Sequence, residues 1–173
     1  MNKVAEVIRK RRSVRAYQDR PVEEEKIEAI LKAAQFAPSA NHKNPWRFWV
    51  VRNKEVLNQL SQATPWGSFI AQAPLAIVVC ADEALSREWL EDAAISGAHI
   101  YLEAVNQGLG TCWVQNRDSK TNRGESSEAY IKNILDIPDN FRVIATFPIG
   151  YPAEKKPPHS DQDYEKDKVH FIE

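Results

Sequence analysis

The chain has 173 residues, 43% of them hydrophobic and 27% charged, a composition that excludes a disordered or fibrous chain and supports one globular core. Its 23 basic and 24 acidic residues leave a formal charge of −1, which argues against a surface that neutralises a nucleic-acid backbone. Two cysteines without a Cys-x-x-Cys and four scattered histidines give neither a disulfide framework nor a metal-ligand spacing, so no metal is expected.

In chain order, Met1 to Glu6 lacks the apolar core of a secretory signal. Val4, Val7 and Ile8 recur at helical spacing and predict a first helix from about Lys3 to the basic run Arg11-Arg12-Ser13-Val14-Arg15. Pro21 marks a helix start, Glu23 to Glu25 suit its positive end, and Ile27, Ile30, Leu31 and Ala34 form its apolar stripe. Ala37-Pro38-Ser39-Ala40-Asn41-His42-Lys43-Asn44-Pro45 is a loop of small and polar residues. Trp46 to Val51 has strand composition, Val56, Leu57 and Leu60 mark a short helix, and Leu75 to Cys80 is a buried strand. That run ends at Ala81 and is too short to cross a bilayer, so no membrane partner and a cytoplasmic location are expected.

A long helix is predicted over 83–107, closed by Gly108-Leu109-Gly110, with Thr111 to Val114 as a further strand. Cys80 and Cys112 fall in apolar runs and read as buried thiols. Asn116 to Ser127 is polar and aperiodic and reads as a mobile loop or lid. Tyr130, Ile131, Ile134 and Leu135 mark a short helix, Phe141 to Ile149 a last strand, and 151–173 a charged tail that requires a surface to lie on. The pattern predicts one α+β domain over 1–173.

The chemistry begins with the arginines. Three guanidinium groups and a hydroxyl within five residues match a bound phosphate, because the guanidinium fork fits phosphate oxygens. Solvated charges complementing a helix end fit the same residues. No nucleophile elbow, phosphate-cradling glycine loop or dinucleotide fingerprint occurs. A chain without a dedicated catalytic group is consistent with chemistry carried by a cofactor. The Pro38 to Pro45 loop, with little side-chain bulk and the amides of Asn41 and Asn44, leaves room for a planar ring, and equally suits an ordinary surface loop.

Taken together and in order, these segments resemble the FMN-dependent nitroreductase family. Arg11 to Tyr17 is similar to its opening Arg-Arg-Ser-x-Arg-x-Phe/Tyr motif, and Ala37-Pro38-Ser39-Ala40 with Pro45-Trp46 to its Ala-Pro-Ser…Gln-Pro-Trp loop. Gly108 to Trp113 resembles its Gly-Leu-Gly-Thr-x-Trp turn, and Gly150-Tyr151-Pro152 its closing Gly-Tyr-Pro. The resemblance implies a mostly antiparallel sheet flanked by helices in an intertwined homodimer, with the tail from about 152 to 173 packed on the partner. It implies that Arg11, Arg12, Ser13 and Arg15 hold the phosphate and polar side of FMN. Pro38, Ser39 and Ala40 would reach the same flavin from the other chain, Asn44 would stand where the family's Gln meets the flavin's pyrimidine edge, and Trp113 to Gln115 would lie near the reactive edge.

His42, Trp66 and Phe69 are candidates to line the substrate pocket. The implied activity is ping-pong transfer from NADH or NADPH to a small acceptor such as a nitroaromatic or quinone, with no catalytic side chain. A sensor without turnover and a flavin-fragmenting or dehalogenating enzyme are the alternatives. Asn44 replaces the family's Gln, Gln115-Asn116 replaces a common glycine, and the basic tail residue expected at the phosphate has Lys155, Lys156, Lys166 and Lys168 as candidates.

Overall fold

A computed structural model describes residues 2–173. Five helices, α1 (Lys3–Lys10), α2 (Glu24–Gln35), α3 (Lys54–Leu60), α4 (Trp89–Asn106) and α5 (Ser127–Leu135), surround a five-stranded sheet. The strands are β1 (Trp46–Val51), β2 (Leu75–Asp82), β3 (Gly110–Thr111), β4 (Val114–Gln115) and β5 (Phe141–Gly150). All pairings are antiparallel, in the order β1-β2-β5-β3, with β4 also on β5.

Side chains of a strand alternate between faces. In β2, Ala76, Val78 and Cys80 enter a core with Leu57, Leu60 and Ile131, while Leu75, Ile77, Val79 and Ala81 enter a second core with Ile27, Ile30, Ile100 and Phe147. Burial on both faces is why this strand is apolar without alternation. The two cysteines are buried free thiols. A bulge in the β2–β5 ladder pairs Val79 with Ala145 and Cys80 with Val143, skipping Ile144. Ile144 and Ala145 therefore both enter the second core. The freed Ile144 carbonyl accepts from the N–H groups of Asn116 and Arg117 at 3.0 and 3.1 Å.

Three expected boundaries move. Pro21 lies outside α2, which begins at Glu24 after the extended Glu23. α4 begins at Trp89 because Asp82 turns the chain, its carboxylate accepting from Ala84 N–H at 2.9 Å. The strand expected over Thr111 to Val114 breaks at Cys112-Trp113. Opposite Cys112 in the register stands Pro148, which has no N–H to give, and Trp113 N–H turns instead to the Tyr101 hydroxyl at 2.8 Å.

The segment expected as a free loop over Asn116 to Ser127 is tied at both ends. The Asn116 side chain is buried, donates to Ser127 Oγ at 3.1 Å and accepts from Thr146 Oγ1 at 2.8 Å. No helix among the described residues is long and apolar enough to cross a membrane.

Candidate functional site

Helix α1 delivers the arginine segment and Gly110 fixes it. Ser13 bridges Thr111, Val14 N–H donates to Thr111 O at 2.9 Å, and a Cβ on Gly110 would meet Val14 at 2.7 to 2.8 Å. Glycine is required there by close approach. At Gly108 it is required by a left-handed φ of 75°, where Leu109 N–H closes onto Ala104 O at 2.8 Å and ends α4.

Arg11 and Ser13 come together at Tyr101, whereas Arg12 turns to the tail and Arg15 to Phe69. The Ser13 hydroxyl lies 3.0 Å from the Tyr101 hydroxyl, the Arg11 guanidinium stands 5.3 Å over the Tyr101 ring, and that of Arg15 stands 5.9 Å over Phe69. Neighbouring Arg9, Lys10 and Arg20 each pair with a carboxylate, whereas Arg11, Arg12 and Arg15 have no such partner among the described residues. One segment thus carries three guanidiniums without a carboxylate partner and a hydroxyl, donor types that suit an anion. Burial raises the Tyr101 hydroxyl above its ordinary pKa, so it stays protonated and able to donate.

The tail supplies further groups. Ala153 N–H donates to Ala16 O and His159 N–H to Arg9 O, Arg12 donates to Pro157 O, and Lys156 donates to Ser13 O. Residues 152–163 thus lie along their own chain's arginine segment. Further along the tail, Tyr164, Phe171 and Ile172 are exposed.

Among the tail cations, Lys168 pairs with Glu165 and Lys156 with Glu154. The Glu154 carboxyl lies below its ordinary pKa, held by the backbone N–H of Arg15 first and then by Lys156. A cavity of about 430 Å³ opens here, lined by Lys10, Arg12, Gly110, Glu154, Lys155 and Lys156 among others.

The second cluster lies at the other end of α4. Pro38 is exposed, and Ser39 and Ala40 are partly so. Asn41, His42 and Asn44 have left-handed φ values of 50°, 56° and 48°, a conformation costing about 1 kcal/mol or more each for such residues. It is held by hydrogen bonds: Asn44 N–H donates to Ser39 Oγ at 2.9 Å, Ser39 Oγ to Asn44 Oδ1 at 2.8 Å, and Ala40 N–H to the buried Asp92 carboxylate at 2.9 Å. The other Asp92 oxygen accepts from Ser86 Oγ at 2.8 Å. Asn44 is left with an amide nitrogen unbonded among the described residues, and it lines a cavity of about 440 Å³ with Gln35, Trp46, Arg47 and Phe48.

The remaining candidates are dispersed. Trp113 Nε1 donates to Gln115 Oε1 at 2.8 Å, and Gln115 Nε2 donates to Arg117 O at 3.0 Å, so the Gln115 side chain is tied back beside the indole. His42 and Trp66 are exposed, whereas Phe69 is buried in the core under Arg15. A cavity of about 610 Å³ along α5 holds none of the predicted residues. Tyr101, Asp92, Glu154 and His159 were not singled out from sequence. Only Asp92 carried a signal, as an acidic residue in the first turn of a helix with an otherwise apolar face.

The fold is thus an antiparallel α+β sheet-and-helix domain, with the guanidinium-bearing segment and the small-residue shelf anchored at two separate points of α4. Residues 8–67 and 62–151 match the model of the nitroreductase family. The chain is 38% identical over 171 residues to a protein of Methanothermobacter thermautotrophicus assigned as an NADH dehydrogenase/NAD(P)H nitroreductase, covering 97% of this chain and 86% of that one.

An FMN-dependent nitroreductase of Clostridium difficile R20291 superposes with a TM-score of 0.93 at 41% identity, over 96% of this chain and 98% of the other. An iodotyrosine deiodinase of Haliscomenobacter hydrossis is more distant, at 27% identity over 83% of this chain and 77% of its own length. The chain belongs to the nitroreductase family.

Proposed function

We propose that the protein is a single-domain, FMN-dependent oxidoreductase that works as a homodimer. It takes a hydride from NADH or NADPH and reduces a small acceptor such as a nitroaromatic or quinone in a ping-pong sequence. The observation that carries this reading is the set of three guanidiniums without carboxylate partners on the segment that also carries the Ser13 hydroxyl. When bound, FMN supplies the redox chemistry.

The chain supplies binding and orientation. Arg11, Arg12 and Ser13 offer charge-assisted donors to the phosphate, and Arg15 offers a further guanidinium toward the polar side of the ligand. The exposed and half-exposed Pro38, Ser39 and Ala40 present little bulk, and the free Asn44 amide suits the polar edge of a ring. The backbone from Trp113 to Gln115 would stand near the reactive edge, and His42, Trp66 and Phe69 near the substrate.

The separation of the two clusters supports a dimer. Ala40 is anchored at Asp92 and Ser13 at Tyr101, two and a half turns apart on α4, or about 13 Å at a rise of about 1.5 Å per residue, and on opposite sides of the helix. One chain presents the halves to different sides, and a second copy brings complementary halves together. The exposed 164–173 segment would lie on that copy.

Purified protein is expected to be yellow, with a flavin spectrum that bleaches when NADH or NADPH is added without oxygen. Protein that stays colourless after reconstitution with FMN overturns the reading. Bound flavin that neither nucleotide reduces would make the protein a sensor. Release of iodide from an iodotyrosine, with no nitroaromatic or quinone reduction, would make it a dehalogenase.

A further inference from the structure

We propose that His159 completes the anion site as a titratable cation, so that binding of a phosphate-bearing ligand takes up one proton at its imidazole. The inference rests on the FMN reading and assigns the tail's contribution to that site. His159 is carried onto the end of α1 by its own backbone, whose N–H donates to Arg9 O at 2.8 Å. Its Nε2 lies 3.3 Å from Arg11 Nη2, and its Nδ1 lies 3.5 Å from a carboxylate oxygen of Asp163.

The charged groups facing it are Arg9 from α1, Arg11 just beyond its end, and Asp161 and Asp163 from the tail. Arg9 is already paired with Asp161. The Asp163 carboxyl is held below its ordinary pKa, chiefly by the backbone N–H of Ser160, so it remains a carboxylate while a histidine titrates. Lys156, the other tail cation at the site, is occupied by Ser13 O and Glu154.

The consequence follows from donor counting. A guanidinium has only donors, so an imidazole nitrogen facing Arg11 at hydrogen-bond distance must be the unprotonated one. Protonating Nε2 with no shared acceptor would set two cationic donors against each other. A phosphate oxygen that caps Arg11 Nη2 and His159 Nε2 from one side accepts from both and reverses that preference. The proton comes from solvent, and Asp163 on Nδ1 supports the resulting imidazolium. Histidine is the side chain whose charge changes within the physiological range, so the site tightens as pH falls, which a lysine or arginine in its place would not do.

The test is the affinity of flavin-stripped protein for FMN and for riboflavin, which lacks the phosphate, followed by quenching of flavin fluorescence at about pH 5.5 and about pH 8.5. Wild type is compared with His159→Ala and His159→Arg. The phosphate of FMN titrates near pH 6 itself, but that cancels in the ratio of variant to wild type at each pH.

His159→Ala is expected to weaken FMN about tenfold at the lower pH, the effect of one charge-assisted hydrogen bond, and by less than about twofold at the higher. His159→Arg should match wild type at the lower pH and bind FMN more tightly than wild type at the higher, while riboflavin ratios stay near one throughout. An equal loss for FMN and riboflavin at both pH values would make His159 a structural tie and overturn the proposal, as would an FMN ratio that does not change with pH. Failure of wild type to bind either flavin removes the FMN reading along with this one, whereas FMN binding with a flat ratio removes this one alone.

Discussion

At the N-terminal end of α4 the Asp92 carboxylate is 3% exposed and has both oxygens taken, by Ala40 N–H and by Ser86 Oγ. Two and a half turns further on, Tyr101 lies beneath Arg11 among guanidiniums that have no carboxylate partner. The first end is closed: its charge is used up holding a left-handed loop in place. The second is open, its guanidiniums without carboxylate partners among the described residues, and on the proposed function that charge is met by the ligand. The contrast separates charge that builds the fold from charge that binds, and it predicts that mutations at the two ends act on different quantities.

Asp92→Ala is the largest break. It strands the Ala40 N–H and the Ser86 hydroxyl, at a cost of about 3 kcal/mol. For a chain of this size that is a fall in Tm of roughly 10 °C. A fall below about 2 °C by calorimetry would show that the closed end does not depend on its carboxylate.

Gly110→Ala is next and sits at the open end. The new Cβ would lie 2.7 to 2.8 Å from Val14 Cβ and both its methyls, and a β-branched residue cannot swing a single atom aside. Overpacking should cost about 1 to 3 kcal/mol. Because Val14 lies between Ser13 and Arg15, FMN affinity should fall as well, measured by flavin titration beside urea unfolding. Lost stability with intact FMN affinity would show that the arginine segment does not need this packing.

Both ends were unequally legible in the sequence. The arginines, the Pro38 to Asn44 loop and the Gly108 turn are runs of neighbouring residues whose composition states their local conformation. Their anchors are not. Tyr101 occurs in a helical stripe and reads as core, but its hydroxyl meets Ser13, 88 residues away, and His159 meets Arg11 across 148 residues. Long-range pairing of this kind leaves no periodicity to read. The break at Cys112-Trp113 was hidden for a similar reason, since β-type composition is local whereas the missing donor belongs to Pro148 on β5.

Tyr101→Phe sharpens the comparison at its hinge. The ring stays in place under Arg11, but the hydroxyl that joins Ser13 Oγ to Trp113 N–H is lost and that N–H is left unpaired. A cost of about 1 to 2 kcal/mol is expected in urea unfolding. FMN should bind a few-fold more weakly, because Ser13 and the Trp113 backbone lose their common anchor. Unchanged affinity would show that the arginines organise the open end alone.

Glu128→Gln carries the smallest expected effect and tests whether closed charge elsewhere behaves as at Asp92. Burial pushes the Glu128 carboxyl up, but the Arg142 guanidinium at 2.9 Å and the Val143 N–H at 3.1 Å outweigh it and leave it below the ordinary range. A carboxyl with a lowered folded pKa adds stability above its unfolded value of about 4.3, and that stability is lost as pH falls through the folded value. Wild type should therefore exceed Glu128→Gln by about 1 kcal/mol at neutral pH, and the gap should close on acidification below about pH 4. The comparison further requires that FMN affinity stay the same in this variant, because Glu128 ties α5 to β5 and its charge is already spent on Arg142. A coupled loss of affinity would mean that compensated charges far from the arginines also shape the site, and the division between the two ends of α4 would fail.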